Sequence, residues 1–280
     1  MSHGDPPAQP AGEGRRGLSR LTRTLAALAC LALLGALAAL AQAQIVQRGN
    51  LRVSVSANMR PRALPRTGAA PIAVSVAGRV STTDQSAPPQ LKQLTIEINR
   101  HGRLDYQGLP VCQVNRIQPA SNDRALAACR AALVGQGRFF GTITLPGSAP
   151  YPIEGRLLVF NGRQAGHQVL LGHIYSPHPF SISFVMTFEI QTKPHGAWGT
   201  TLSANLRQAL GTRRNLTGIE MTLARRWSSG GHRHSYLSAG CPAPKGFGGA
   251  FFPLARTSFA FAGGKRLSST LMSECRARGG

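Results

Sequence analysis

The sequence predicts an all-β protein, an antiparallel β-sandwich built either as one continuous sandwich or as two sandwich halves. Period-two alternation carries this reading first. In "ISISFVMTFEIQT", Ile182, Phe184, Met186, Phe188 and Ile190 fall on one face, and Ser183, Thr187, Glu189 and Gln191 fall on the other. Val185 is the single exception. This is the pattern of a half-buried antiparallel strand. Second, turn signals recur along the chain: Pro88-Pro89, His101-Gly102, Pro146-Gly147, Asn161-Gly162, Pro194-His195-Gly196, Gly230-Gly231 and Gly263-Gly264. Third, only one stretch after residue 43 reads as a helix. Many short strands, regular turns and almost no helix belong to a sandwich or barrel and exclude an α/β fold.

Taken in chain order, residues 1–43 stand apart from the fold. A polar, Pro/Gly-rich start leads to "RRGLSRLTR", four arginines without an acid, and then to the apolar run Thr24–Ala43. With Ala41-Gln42-Ala43 before Gln44, this reads as a secretory signal peptide. The alternative is an uncleaved membrane anchor, since about 20 apolar residues span a bilayer. In both cases the Arg cluster precedes the run, so the rest of the chain is expected outside the cytoplasm, extracellular or at the cell envelope.

The β domain is expected over 44–280, with a candidate internal boundary near 146–152, "PGSAPYP". Strands are expected at Leu51–Ala57, Ile72–Val80, Phe139–Leu145, Ile153–Asn161, Gln168–Tyr175, Thr200–Leu206, His234–Ser238 and Leu267–Met272. "LTIEIN" turns Leu94, Ile96 and Ile98 inward, "GIEMTLARRW" turns Ile219, Met221 and Leu223 inward, and "TSFAFAGG" turns Phe259 and Phe261 inward. The one helix is expected over 122–133, "NDRALAACRAAL", capped by Ser121 or Asn122, with Leu126, Cys129 and Leu133 on one face. The Pro- and Gly-rich stretch Tyr236–Arg256 reads as a crossover in which Phe251 and Phe252 plug one end of the core, with a ligand-binding loop as the alternative.

Four cysteines follow residue 43: Cys112, Cys129, Cys241 and Cys275. An even count in an exported chain argues for two disulfides. Of the three connectivities, Cys112–Cys129 with Cys241–Cys275 pairs nearest neighbours, and each bridge closes one excursion. No C-x-x-C occurs and no His stands at ligand spacing from a Cys, so no metal site is expected. A free thiolate nucleophile does not suit an oxidising compartment.

The chain carries 32 basic and 10 acidic residues, a net charge of +22. Removing residues 1–43 takes away four Arg, Asp5 and Glu13, which leaves 28 basic and eight acidic residues, +20. Such a charge attracts polyanions, so anionic envelope polymers are candidate partners. Only four of the basic residues are Lys and they are spread along the chain. That pattern matches an Arg- and Ala-rich composition, and no specific nucleic-acid partner is expected.

Several stretches carry a family resemblance: "INRHGRLDYQGLPVC", "ALAACRAALVGQG", "GRLLVFNG", "YLSAGCPAPKGF" and "FPLARTSFAF". From Ala57 to Gly280 the chain resembles a family of uncharacterised secreted proteins of soil actinobacteria. The resemblance implies a secreted, disulfide-bonded β protein and assigns no role to any residue.

Enzymatic readings need a constellation of groups. The eight acids after residue 43 are Asp84, Glu97, Asp105, Asp123, Glu154, Glu189, Glu220 and Glu274. A glycosidase needs two of them across a cleft. No G-x-S-x-G elbow and no phosphate-cradling Gly-rich motif occurs, and no cofactor is expected. The best polar cluster is "RRWSSGGHRHSY", in which a Gly-Gly hairpin sets Arg225, Arg226 and Trp227 against His232, Arg233, His234 and Tyr236. Its functional reading is a sugar- or anion-binding patch, with Trp227 or Tyr236 stacking; its bland reading is a solvated hairpin tip. The sequence thus points to a non-enzymatic structural or binding protein at the envelope or outside the cell. The alternatives are a secreted hydrolase acting on polysaccharide and an anion- or polymer-binding module.

Overall fold

The computed structural model describes Met1, residues 43–178 and residues 181–278. The signal-peptide or anchor reading of the N-terminus falls on positions outside the described residues. Among the described residues no helix is long and apolar enough to cross a membrane.

The chain forms β1 (Gln44–Arg48), β2 (Leu51–Arg60), β3 (Ala63–Pro65), β4 (Ala70–Pro71), β5 (Ala73–Thr82), β6 (Leu91–Asn99) and β7 (Gly102–Leu104). After a helical excursion come β8 (Leu133–Ile143), β9 (Tyr151–Gln164), β10 (His167–Ser176), β11 (Ile182–Thr192), β12 (Trp198–Asn205) and β13 (Arg214–Leu223). The chain ends with β14 (Arg226–Ser229), β15 (His232–Ser235), β16 (Leu237–Ala239), β17 (Gly249–Phe261) and β18 (Arg266–Arg278). The helices are α1 (Val114–Ile117), α2 (Asn122–Cys129) and α3 (Leu206–Leu210). The predicted all-β, antiparallel class is therefore the observed one.

A 13-stranded sheet runs β1-β2-β5-β13-β8-β9-β10-β11-β12-β6-β17-β18-β3. Every pairing in it is antiparallel except the parallel addition of β3 to β18. The sheet curls until β1 and β2 come back against β18. Across that seam Lys265 Nζ donates to Asn50 Oδ1 at 3.4 Å. The two facing layers are thus opposite walls of one nearly closed barrel. Tight curling needs close strand approach at β8, where a Cβ on Gly137 would collide with the carbonyl of Glu220. Residues 144–150 join β8 to β9, so the candidate boundary near 146–152 falls on a hairpin whose strands pair from Ile143↔Tyr151 to Leu133↔Phe160. Two smaller sheets, β4-β16-β7 and β14-β15, complete the fold.

The main core lies inside the barrel. A second apolar cluster lies outside it, where Ile117, Ala125 and Cys129 cover Leu158, Phe160, Leu171 and Val185. This explains the one break in the alternation of β11. Val185 faces outward, but the helical excursion buries it. α2 is capped by Ser121, whose hydroxyl accepts from Arg124 N at 3.4 Å. It ends at Cys129, short of Leu133, because a 3₁₀ turn at Arg130–Ala132 hands the chain to β8. The strand expected to run through Leu206 stops at Asn205, whose side chain accepts from Arg207 N at 3.2 Å and caps α3.

His173 lies fully buried beneath the excursion. Its Nε2–H donates to Ala120 O at 3.0 Å, and Ser183 Oγ accepts from Ala120 N at 3.2 Å. Nδ1 has no partner. Burial pushes the imidazole pKa down, opposed by the Ala120 bond, so the ring is held neutral. Both disulfides form, Cys112–Cys129 with Cα–Cα 5.6 Å and Cys241–Cys275 with Cα–Cα 5.7 Å. The first staples α2 to the segment that bridges to Gly162. The second ties the crossover after β16 to β18.

Two tests follow from this packing. Non-reducing peptide mapping is expected to return the 112–129 and 241–275 links, and a 112–241 link would overturn the topology. Cys112→Ser with Cys129→Ser should lower the unfolding free energy by about 3 kcal/mol, as loss of a loop of this size does. The depressed His173 pKa means that the unfolded chain binds more protons, so stability is full above the unfolded value of about 6.5 and declines as pH falls below it. His173→Gln should flatten urea midpoints between pH 7.5 and pH 5; an unchanged slope would remove His173 as the cause.

Candidate functional site

The most apolar cavity among the described residues lies inside the barrel. Antiparallel partners share a face, so the registers fix which side chains point in. On one wall these are Val55, Ala57 and Met59 of β2, facing inward with their partners Gly78, Val76 and Val74 of β5. Next to them stand Ile219, Met221 and Leu223 of β13. The opposite wall presents Leu94, Ile96 and Ile98 of β6 with Ala255, Thr257 and Phe259 of β17. Around β8–β11 the interior is filled by bulky rings, with Phe139 and Phe184 edge to face at 5.3 Å. Across the middle of β2 and β5 the inward residues are small: Val53, Val55, Ala57, Val74, Val76 and Gly78.

Eight strands enclose just enough space for side chains to fill, and more strands leave a lumen. Small inward residues on a circuit of a dozen strands therefore leave a gap. A cavity of about 190 Å³ results, lined almost wholly by apolar atoms. Val74, Val76, Ile96, Ile98, Ile219 and Met221 point inward yet stay only half-buried, because they face this space. At one end the small sheet closes it with Gly102, Arg103, Leu237, Ser238 and Ala239. Asn99 sits at that end, 7 % exposed; it donates to Pro253 O at 2.8 Å and accepts from His101 N at 2.9 Å. His101 and Arg103 add the only ionisable side chains near this closure that also line the cavity.

The sequence-predicted patch is partly assembled and partly dispersed. β14 and β15 form the expected hairpin, with Trp227↔His234 and Arg226↔Ser235 opposite. Trp227 stacks on His234 at 5.3 Å and 14°. The indole Nε1–H donates to Gln107 O at 3.1 Å, and His234 Nδ1–H donates to Asp105 Oδ2 at 2.9 Å. The aromatic face offered to a sugar is therefore occupied by the protein itself. Arg225 turns to Ala131 O at 3.5 Å. Only Arg226, His232 and Arg233 remain exposed. Tyr236 is a correction: it is 0 % exposed. The chain leaves β15 at Ser235 and dives into the core, so the side-chain parity of the strand no longer applies. Burial pushes the Tyr236 phenol well above its ordinary range, with nearby Tyr106 adding to it, and its OH has no hydrogen-bond partner.

Six of the eight carboxylates are turned to cations or hydroxyl and amide donors. Glu97 accepts from Arg256 Nε at 2.6 Å and Lys193 Nζ at 3.3 Å. Burial raises its carboxyl, but these two partners outweigh it and hold it below the usual range. Glu154 pairs with Arg138, Glu220 with Arg79, Glu274 with Arg62 and Asp105 with His234. Asp84 accepts from Asn50 at 2.9 Å and Ser86 Oγ at 2.6 Å. Among the described residues no group of three or more His, Cys, Asp or Glu is placed to hold a metal ion.

Comparison with protein-family models, curated proteins and solved structures finds no match to this chain. The site is therefore interpreted from its own geometry.

The cavity was missed by the sequence reading, which located the inward phase of the strands without weighing its volume. The signal lay in the middle of "LRVSVSANM" and "AVSVAGRV", where Val53, Val55, Ala57, Val74, Val76 and Gly78 stand on the inward phase and a filled core would carry Leu or Phe. For the buried phenol, an OH without a partner costs about 1–3 kcal/mol. Tyr236→Phe is accordingly expected to raise the unfolding free energy by about 1 kcal/mol in urea titration, and a loss of stability would show that the hydroxyl is satisfied.

Proposed function

We propose that the chain is an exported binding protein that holds one small apolar molecule, or the end of an apolar chain, inside the barrel. The observation that carries this reading is the 190 Å³ space with its half-buried Val, Ile and Met lining. An apolar space of that size in a core costs about 4–5 kcal/mol by the volume scaling for cavities, and water gains little there because it finds few polar partners. A ligand of matching shape removes that cost. An apolar cavity of about 150 Å³ takes benzene, which sets the size class. Asn99, His101 and Arg103 stand where the small sheet closes one end of the space.

Export is supported by the order of basic, apolar and small-x-small segments before Gln44. The two disulfides fit an oxidising compartment. No catalytic constellation is required by this function, since binding needs only shape and apolar surface.

The test is a cavity-filling variant. Ala57 and Val76 are cross-strand partners that both face the space. Ala57→Leu with Val76→Leu should leave the fold intact and occupy part of the volume. Toluene at several times its dissociation constant is expected to stabilise the parent by about 1 kcal/mol, read as a rise in melting temperature. The filled variant should show no such rise. Equal shifts in both proteins, or none in the parent, would overturn the reading.

A further inference from the structure

The crossover between β16 and β17 does not bury both of its adjacent phenylalanines. Phe252 is 6 % exposed and packs into the core, but Phe251 is 66 % exposed. Phe247, four residues earlier, is 64 % exposed. On the same outer face Met272 is 36 % exposed; the register sets Phe251↔Glu274 and Pro253↔Met272, so the two apolar side chains stand diagonally across the ladder. Among the described residues, Phe247 and Phe251 are the exposed phenylalanines, and they stand together here.

Basic groups ring the cluster. Arg66 bonds the loop directly, donating to Ala243 O at 3.0 Å, to Pro244 O at 2.6 Å and to Phe247 O. Lys245 is exposed at the loop tip. Arg276 is the register partner of Gly249. Arg62 abuts Arg276, whose N–H donates to Arg62 O at 2.8 Å. The one acid among them, Glu274, pairs with Arg62. The loop is held in place at its base by Cys241–Cys275 and by Ala277 N–H donating to Gly248 O at 2.9 Å.

We infer that this end of the barrel docks on an anionic lipid bilayer, with Phe247, Phe251 and Met272 entering the headgroup region and Lys245 and Arg276 pairing with lipid phosphates. Exposed aromatic side chains beside clustered Lys and Arg match the interface of a bilayer, where apolar burial and attraction to anionic lipid add together. Charge complementarity decides the occupant: a second copy of this chain would bring the same cationic ring against itself, whereas an anionic surface answers it. The inference rests on the loop and its surroundings and stands whether or not the barrel cavity holds a ligand.

The test is vesicle co-sedimentation of the exported chain from Gln44 onward, using phosphatidylcholine vesicles with and without phosphatidylglycerol. The parent is expected to partition onto the anionic vesicles and to be released by raised salt. Phe247→Ser with Phe251→Ser leaves the charge unchanged and should weaken partitioning about 10-fold or more. Lys245→Glu with Arg276→Glu should weaken it at least as far. Arg48→Glu with Arg213→Glu makes the same charge change at the opposite end of the barrel and should weaken it much less. Both phenylalanines are exposed, so melting temperatures should stay within a few degrees and report intact folding. Partitioning unaffected by the Phe changes, or lost equally in the Arg48/Arg213 variant, would reduce the effect to bulk charge and overturn the proposal. A dimer in equilibrium sedimentation that the Phe changes dissolve, with vesicle binding untouched, would assign the patch to a second copy instead.

Discussion

A sheet with one apolar face and more strands than a flat layer can twist through must curl until its edges meet. That constraint organises this molecule. Among the described residues the edge strand β1 pairs only with β2, and β18 offers only Arg276–Arg278 to β3, so the two edges approach without completing a ladder. The seam is held instead by packing of β1 and β2 on β18 and by the Lys265–Asn50 contact. The Cys241–Cys275 bridge anchors β18 near its other end. Circumference then sets interior volume. With about a dozen strands around the circuit, the side chains available on β2 and β5 are too small to meet those of β6 and β17, and the cavity follows from geometry.

The outer surface shows how the same sheet handles its second face. Over β9–β11 the outward residues Leu158, Phe160, Leu171 and Val185 are apolar, which an uncovered antiparallel sheet does not tolerate. The excursion between β7 and β8 covers them, and it does so with little helix of its own: a four-residue α1 and an eight-residue α2. Segments that short do not persist in isolation. They are kept by the Cys112–Cys129 bridge, by burial of Ile117 and Ala125, and by the His173–Ala120 bond beneath them. Elsewhere the outward face carries Ser75 against Thr222 and Arg79 against Glu220, pairs that face water.

Both features of functional interest lie where a local sequence rule is broken. Inward positions with Val, Ala and Gly break the rule that a core is filled to crystal-like density. Two exposed phenylalanines, Phe247 and Phe251, break the tendency of large aromatics to be buried or paired. Violations of this kind concentrate at working parts of proteins, because stability alone gives no reason to keep them. The hairpin that looked richest in chemistry obeys the rules: Trp227, His234 and Asp105 satisfy one another, and the assembly props the loop at residues 105–108.

The sequence alone determined the class of fold, the antiparallel strands and their inward phase, the pairing of the four cysteines and the helix capped by Ser121, but not the short α1 or the Asn205-capped α3. Each feature so determined depends on neighbours in the chain or on a small number of combinations. Alternation is read two residues at a time, a cap three or four, and nearest-neighbour cysteines closed the two loops. Tertiary structure alone decided that the two layers belong to one sheet, that Val185 is covered while Phe251 is not, and that Tyr236 points into the core. It also decided that the barrel keeps space inside. Those outcomes turn on volume and on which distant strand comes alongside, and no local pattern records either.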